Sequence, residues 1–189
     1  MMNALLLSTA TVALAEIGDK TQLLALLLAA RYRRPGPIIA GITIATVLNH
    51  ALAAWLGDWL STLLTPDVLR WIVAGSFLAV ALWTLKPDTL DSDEGSTVHR
   101  HGALLATTIA FFLAEIGDKT QVATMLLAAR LHDLPSVVAG TTVGMLLANV
   151  PVVLLGSRFA DRLPLRAARF TAAAVFAVLG LWVAIRGFG

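Results

Sequence analysis

The chain has 189 residues, 58% of them hydrophobic and 14% charged, with a mean hydropathy of +0.80 and a formal net charge of +2. This composition lies outside the range of soluble domains, leaves no room for a catalytic domain between apolar stretches, and gives no electrostatic footprint for nucleic acid. Cysteine is absent, which excludes disulfides, thiol catalysis and thiolate metal sites.

Apolar runs of the roughly 20 residues needed to cross a bilayer recur along the chain. They predict an all-α polytopic membrane protein with about six transmembrane helices, over residues 3–30, 36–57, 68–86, 102–130, 134–157 and 166–186. The first run ends its opening half on Ala13-Leu14-Ala15, which resembles a cleavage site, but no Lys or Arg precedes it. It therefore reads as a retained span. The stretch Arg31 to Pro37 turns the chain into the second span, and Pro66 opens the third. Residues 87–101 carry Asp88, Asp91, Asp93 and Glu94 and read as an acidic linker. His99 and His101 sit in or beside it, where a solvated loop is the simpler reading than a metal sensor.

The halves match each other at a constant offset of 99 positions: Glu16 with Glu115, Arg31 with Arg130, Gly41 with Gly140, Thr43 with Thr142, Phe77 with Phe176, Trp83 with Trp182. Residues 1–86 thus form a first three-helix repeat and 102–189 a second. An odd number of spans inverts the second repeat in the membrane, an arrangement used by transporters that bind substrate near the midplane. Arg31, Arg33, Arg34, Lys86, Arg100, Arg158, Arg162, Arg166 and Arg169 fall on one side, against Arg70, Arg130 and Arg186 on the other. The positive-inside rule then puts the linker in the cytoplasm and both termini outside, in a bacterial-type inner membrane.

The most informative residues are two copies of Glu-Ile-Gly-Asp-Lys-Thr-Gln, at 16–22 and 115–121, each inside an apolar run. An ionisable residue there costs roughly 2.5–3.5 kcal/mol on insertion scales and marks an ion or proton pathway. On a continuous helix Glu16, Asp19 and Lys20 share one face, with Gln22 beside it and Thr9 two turns earlier. Glu115, Asp118, Lys119, Gln121 and Thr108 repeat that stripe. Gly18 and Gly117 permit close helix approach or a local break. Four carboxylates against two lysines leave about two negative charges, which one divalent cation or two protons would neutralise. The donor set of the motif is oxygen alone, which suits Ca²⁺, Mn²⁺ or Mg²⁺. Plain Glu–Lys pairing within each helix is the bland alternative, and it leaves Asp19 and Asp118 unexplained.

Asn49 and His50 lie inside the second span, and Asn149 is the counterpart of His50. Interhelical hydrogen bonding is their first reading, with path lining or proton relay the second. Thr43, Thr46, Thr141 and Thr142 read first as packing or back-bonded hydroxyls, with pore lining the second reading. Trp55, Trp59, Trp71, Trp83 and Trp182 read as interface anchors.

With the motif present in the first span of each three-span half, the chain resembles, over essentially its whole length, the Gdt1 family, also called UPF0016 (transmembrane protein 165-like). The resemblance implies a secondary cation/proton antiporter for Mn²⁺ and Ca²⁺, with manganese export the mode expected of a bacterial member. It carries the family's functional acids onto Glu16, Asp19, Glu115 and Asp118. The expected roles are metal ligation by these four acids with Gln22 and Gln121, proton uptake by the acids, and charge compensation by Lys20 and Lys119. Thr9, Thr108, Asn49, His50 and Asn149 are candidate pathway residues. No resident cofactor is expected; the partners are the divalent cation, protons and membrane lipid, and a homodimer is compatible. The rival readings are export of a small organic cation or amino acid, a non-transporting membrane scaffold, and an intramembrane enzyme, which would need neither a symmetric copy nor the lysines.

Overall fold

A computed structural model of the chain describes residues 2–86, 102–155 and 165–187. The linker 87–101, with its acids and histidines, lies outside the described residues, as do Arg158 and Arg162. The described residues form helices α1 (Met2–Glu16), α2 (Lys20–Tyr32), α3 (Pro35–Leu63) and α4 (Pro66–Thr84) in the first repeat. The second repeat follows with α5 (Ala103–Glu115), α6 (Lys119–Leu131), α7 (Leu134–Leu155) and α8 (Leu165–Arg186). Helices α3, α4 and α7 are long and apolar enough to cross a membrane singly, whereas α1 and α5 are shorter.

The first and fourth predicted spans are therefore not continuous helices. Each breaks inside the motif, at Ile17–Asp19 and Ile116–Asp118. Gly18 has φ +82° and Gly117 φ +73°, a left-handed conformation that glycine adopts without penalty. Asp19 and Asp118 then stand at the N-caps of α2 and α6 with extended backbone. The single-face stripe expected of a regular helix is thereby corrected: Glu16 and Glu115 end one helix, and each Asp begins the next.

Packing is dominated by contacts between repeats. Helix α1 lies mainly on α7 and its counterpart α5 on α3, while α4 pairs with α8. The crossings obey the repeat symmetry. A Cβ on Gly41 would lie 2.9 Å from the Leu104 carbonyl and 2.7 Å from Thr107 Cβ. One on Gly140 would lie 2.5 Å from the Leu5 carbonyl and 2.9 Å from Ser8 Cβ. Small residues let backbones meet in lipid, where no hydrophobic effect drives helices together. Phe77 and Phe176, also equivalent, stack at 6.3 Å between α4 and α8. One buried cluster surrounds these rings, and a second gathers Val12, Leu24, Ile38, Phe111 and Met145.

The exposure pattern is that of a protein dissolved in lipid. Leu82, Leu147, Val178 and Ile185 face outward, while Glu16 and Glu115 are fully buried. Exposed Trp55 and Trp59 stack on one another near the end of α3, and the Arg130 guanidinium sits 4.9 Å over the Trp182 ring, as interface anchoring predicts. At the α6–α7 turn, Ser136 N–H donates to Asp133 Oδ1, and the Ser136 hydrogen bonds hold that carboxyl below the usual carboxylate range.

Candidate cation site

Each motif builds a helix break braced by its own side chains. Gly18 N–H donates to Gln22 Oε1 at 2.9 Å, and Gly117 N–H to Gln121 Oε1 at 2.7 Å. The Asp-Lys-Thr-Gln segment is a variant of the capping box, in which an N-cap residue and a Gln three positions on satisfy the orphan donors of a helix start. That pattern, together with the preceding glycine, is the sequence signal for the break. The Gln oxygens expected as metal ligands are thus engaged with backbone N–H groups in this conformation.

The repeat symmetry then joins the two breaks. Gln22 Nε2 donates to the Ala148 carbonyl at 3.1 Å, and Gln121 Nε2 approaches Asn49 Oδ1 at 3.5 Å, with positions 148 and 49 equivalent. Asn49 also donates to the Phe112 carbonyl at 3.0 Å. Asn149 Nδ2 donates to Glu16 Oε1 at 3.3 Å, and His50 Nε2 lies 3.7 Å from Glu115 Oε2, with positions 149 and 50 again equivalent. Each repeat's second-span polar residue thus faces the other repeat's glutamate. The four acids form one electrostatic cluster: Glu16 interacts with Glu115, Asp19 and Asp118, and Asp118 with Lys119 and Lys20.

Within this symmetric frame the contacts differ. Lys119 Nζ reaches across the repeats to Asp19 Oδ1 at 2.6 Å, with both side chains buried. Asp19 accordingly makes no cap hydrogen bond to α2. Asp118 caps its own helix, its Oδ2 accepting from the Thr120 N–H and hydroxyl, both at 3.3 Å. The Thr120 hydroxyl also lies 3.1 Å from Glu115 Oε2, tying the two acids of that motif together. This role of the motif threonine was not legible on a continuous helix, where Thr21 and Thr120 point away from the acids.

Among the described residues no three acidic or imidazole side chains already converge as a closed metal cage. Glu16 Oε2 and Glu115 Oε1 are buried with no hydrogen-bond partner. Buried hydroxyls without a partner continue from the acids: Ser8 and Thr107, equivalent positions two turns before each Glu, with Thr11, Thr21 and Thr46. Thr9 is half-buried on α1, but the Thr108 hydroxyl is spent on the Leu104 carbonyl of its own helix at 2.9 Å. Thr9 Oγ1 is likewise buried without a hydrogen-bond partner, one residue after Ser8. An apolar cavity of about 160 Å³ between Leu52, Leu56, Val122 and Met125 opens onto Gln121.

The arrangement gathers four buried acids between the repeats, with an ammonium already on one of them. Comparison with known proteins agrees. The family profile "Divalent cation/proton antiporter GDT1" matches residues 4–92 and 103–189. A Vibrio cholerae protein named "Putative manganese exporter" is 56% identical over 182 residues, covering 96% of this chain and 90% of its own length. "GDT1-like protein 3" from Oryza sativa subsp. indica is 26% identical over 212 residues, covering all of this chain and 74% of the rice protein, and its subsp. japonica counterpart matches equally. No solved structure matches the chain. The chain belongs to the GDT1 family of divalent cation/proton antiporters: it is a multi-pass membrane transporter and not an enzyme.

Proposed function

We propose that this antiporter exports Mn²⁺ from the cytoplasm in exchange for protons, with Ca²⁺ as a second substrate. One observation carries the reading: the acids of both motifs form a single buried cluster between inverted repeats, with Lys119 seated on Asp19. The homologue's name supports the choice of manganese.

Glu16, Asp19, Glu115 and Asp118 ligate the ion and take up protons when it leaves. Gln22 and Gln121 hold the helix breaks and turn their oxygens inward when the site closes on a cation. Lys119, and Lys20 in the equivalent position, supply positive charge to the empty site. Across the repeat interface Asn149 positions Glu16, and Asn49 holds the Gln121 brace. The repeats, 1–86 and 102–189, rock against each other; the linker 87–101 faces the cytoplasm and both termini face outward, an orientation that the Lys and Arg distribution supports.

The test is transport by purified protein in liposomes carrying a pH gradient, with Mn²⁺ and Ca²⁺ followed by internal dyes. Proton-coupled Mn²⁺ flux abolished by Glu16→Gln or Glu115→Gln, with normal insertion, is the expected result. Wild-type rates in both variants, or no flux of either ion by folded protein, would overturn it.

A further inference from the structure

Repeat symmetry isolates one side chain that the motif does not contain. The partner of Glu16 is Asn149, whose Nδ2 is tied to Glu16 Oε1, to the Met145 carbonyl at 3.1 Å and to Met145 Sδ at 3.0 Å. The equivalent partner of Glu115 is His50. Its imidazole is fully buried, and neither Nδ1 nor Nε2 has a hydrogen-bond partner among the described residues. Glu115 Oε1 likewise has none. A buried polar ring without a hydrogen bond costs stability, so the His50 ring nitrogens are open to a partner beside Glu115.

The separation points to which ligand. At 3.7 Å, Nε2 and Glu115 Oε2 are too far apart for a hydrogen bond. Bonds of about 2.0–2.6 Å from a divalent ion to two donors at right angles put those donors roughly 2.8–3.7 Å apart. The pair is therefore spaced to flank one ion. The chemistry differs from that of its counterpart: Asn149 offers an amide oxygen, Oδ1, also buried without a hydrogen-bond partner, whereas a neutral imidazole presents a nitrogen lone pair.

Resting on the reading of the site as a manganese exporter, we propose that His50 Nε2 is a nitrogen ligand to the transported cation beside Glu115, and that it biases the site toward transition-metal ions over Ca²⁺. Ca²⁺ and Mg²⁺ take oxygen ligands almost exclusively, while first-row transition ions gain from an imidazole. His50 thus breaks the symmetry of two otherwise identical motifs and makes the Glu115 side of the site, to which it reaches from the first half, the selective one.

The experiment pairs spectroscopy with competition. The full-length protein, loaded with Mn²⁺ in detergent, is examined by pulsed EPR for ¹⁴N modulation from a coordinated imidazole. The sequence has four histidines, so a variant with His99, His101 and His132 all changed to Gln leaves His50 as the only source. The signal is expected in wild type and in that triple variant, and its loss in His50→Asn, which restores the symmetry with Asn149. In liposomes, His50→Asn is expected to lower the Mn²⁺:Ca²⁺ transport preference by about tenfold or more, since even outer-shell changes cost 10–100-fold in metal affinity.

A preference within twofold of wild type in a folded His50→Asn variant would overturn the inference, as would a triple variant lacking the nitrogen signal. Should His50→Asn fail to fold, the triple variant's spectrum decides alone. Wild-type protein that moves Mn²⁺ without a nitrogen signal refutes this inference only; wild-type protein that moves no Mn²⁺ refutes the reading beneath it.

Discussion

Removing the Lys119 ammonium is the most informative perturbation of the empty site. Lys119 Nζ and Asp19 Oδ1 are 2.6 Å apart, with side chains 2% and 0% exposed. At an effective dielectric of about 20 that separation gives a gross attraction of roughly 6 kcal/mol. Desolvation of both ions offsets much of this, so the pair adds little relative to an apolar pair. Breaking it from one side is different: a carboxylate left buried without its cation costs about 3–5 kcal/mol. Lys119→Met should therefore destabilise by about that amount, while Lys119→Met combined with Asp19→Asn should recover most of it. Unfolding titrations in mixed micelles on the two single variants and the double variant measure the coupling. Mn²⁺ adds a second readout. If the ammonium stands where a cation's charge belongs, Mn²⁺ should raise the melting temperature of Lys119→Met more than that of wild type. Single-variant effects that add within about 0.5 kcal/mol would refute the reasoning, as would an equal Mn²⁺ shift in both proteins.

The helix break and the close crossings give two further tests. At Gly117, φ +73° but with nothing within 4 Å of an added Cβ, Gly117→Ala should lose about 1–2 kcal/mol from backbone conformation alone and should slow transport by displacing Glu115 from Asp118; unchanged melting and flux would contradict the break. Gly140→Ala, whose Cβ would meet the Leu5 carbonyl at 2.5 Å, should cost about 1–3 kcal/mol, whereas Gly75→Ala, in open space on α4, should be neutral or stabilising; thermal unfolding of the two variants side by side checks the contrast.

Much of this architecture was legible in the sequence because it was written twice. The offset of 99 positions revealed the repeat, and with it the pairs Gly41–Gly140 and Phe77–Phe176 that now mark the crossings. The four acids were legible because charge inside an apolar run has few explanations. The break was missed as a fact, though Gly18 allowed it, since hydrophobic periodicity does not register a three-residue interruption between two apolar helices. Placing Asp19 on the Glu16 face followed from that. The pairing of Lys119 with Asp19, and of His50 with Glu115, was not legible at all. Both contacts cross between inverted repeats, and a sequence read along one helix carries no information about which side chain arrives from the other half.

The break also separates the two acids of each motif by local environment, although they are three residues apart. Asp118 sits at the start of α6, where unpaired N–H groups and the helix dipole favour a fixed anion, and it accepts the Thr120 N–H. Glu16 and Glu115 sit at the last positions of α1 and α5, beside carbonyl ends that offer an anion nothing, and each keeps a buried oxygen without a partner. Asp118 is thus a helix cap as well as an acid, whereas each glutamate rests on one neutral donor, Asn149 for Glu16 and Thr120 for Glu115, with its other oxygen left for a cation or proton. Their variants should part accordingly. Asp118→Ala should lower stability by about 0.5–2 kcal/mol through loss of the cap, and Asp118→Asn, an equally good cap, should not. Glu16→Gln and Glu115→Gln should abolish exchange while melting at or above the wild-type temperature, because each removes a buried charge without removing a brace. Glutamine variants that unfold as readily as Asp118→Ala would mean that the glutamates hold the fold together, and the exchange chemistry would have to be sought elsewhere in the cluster.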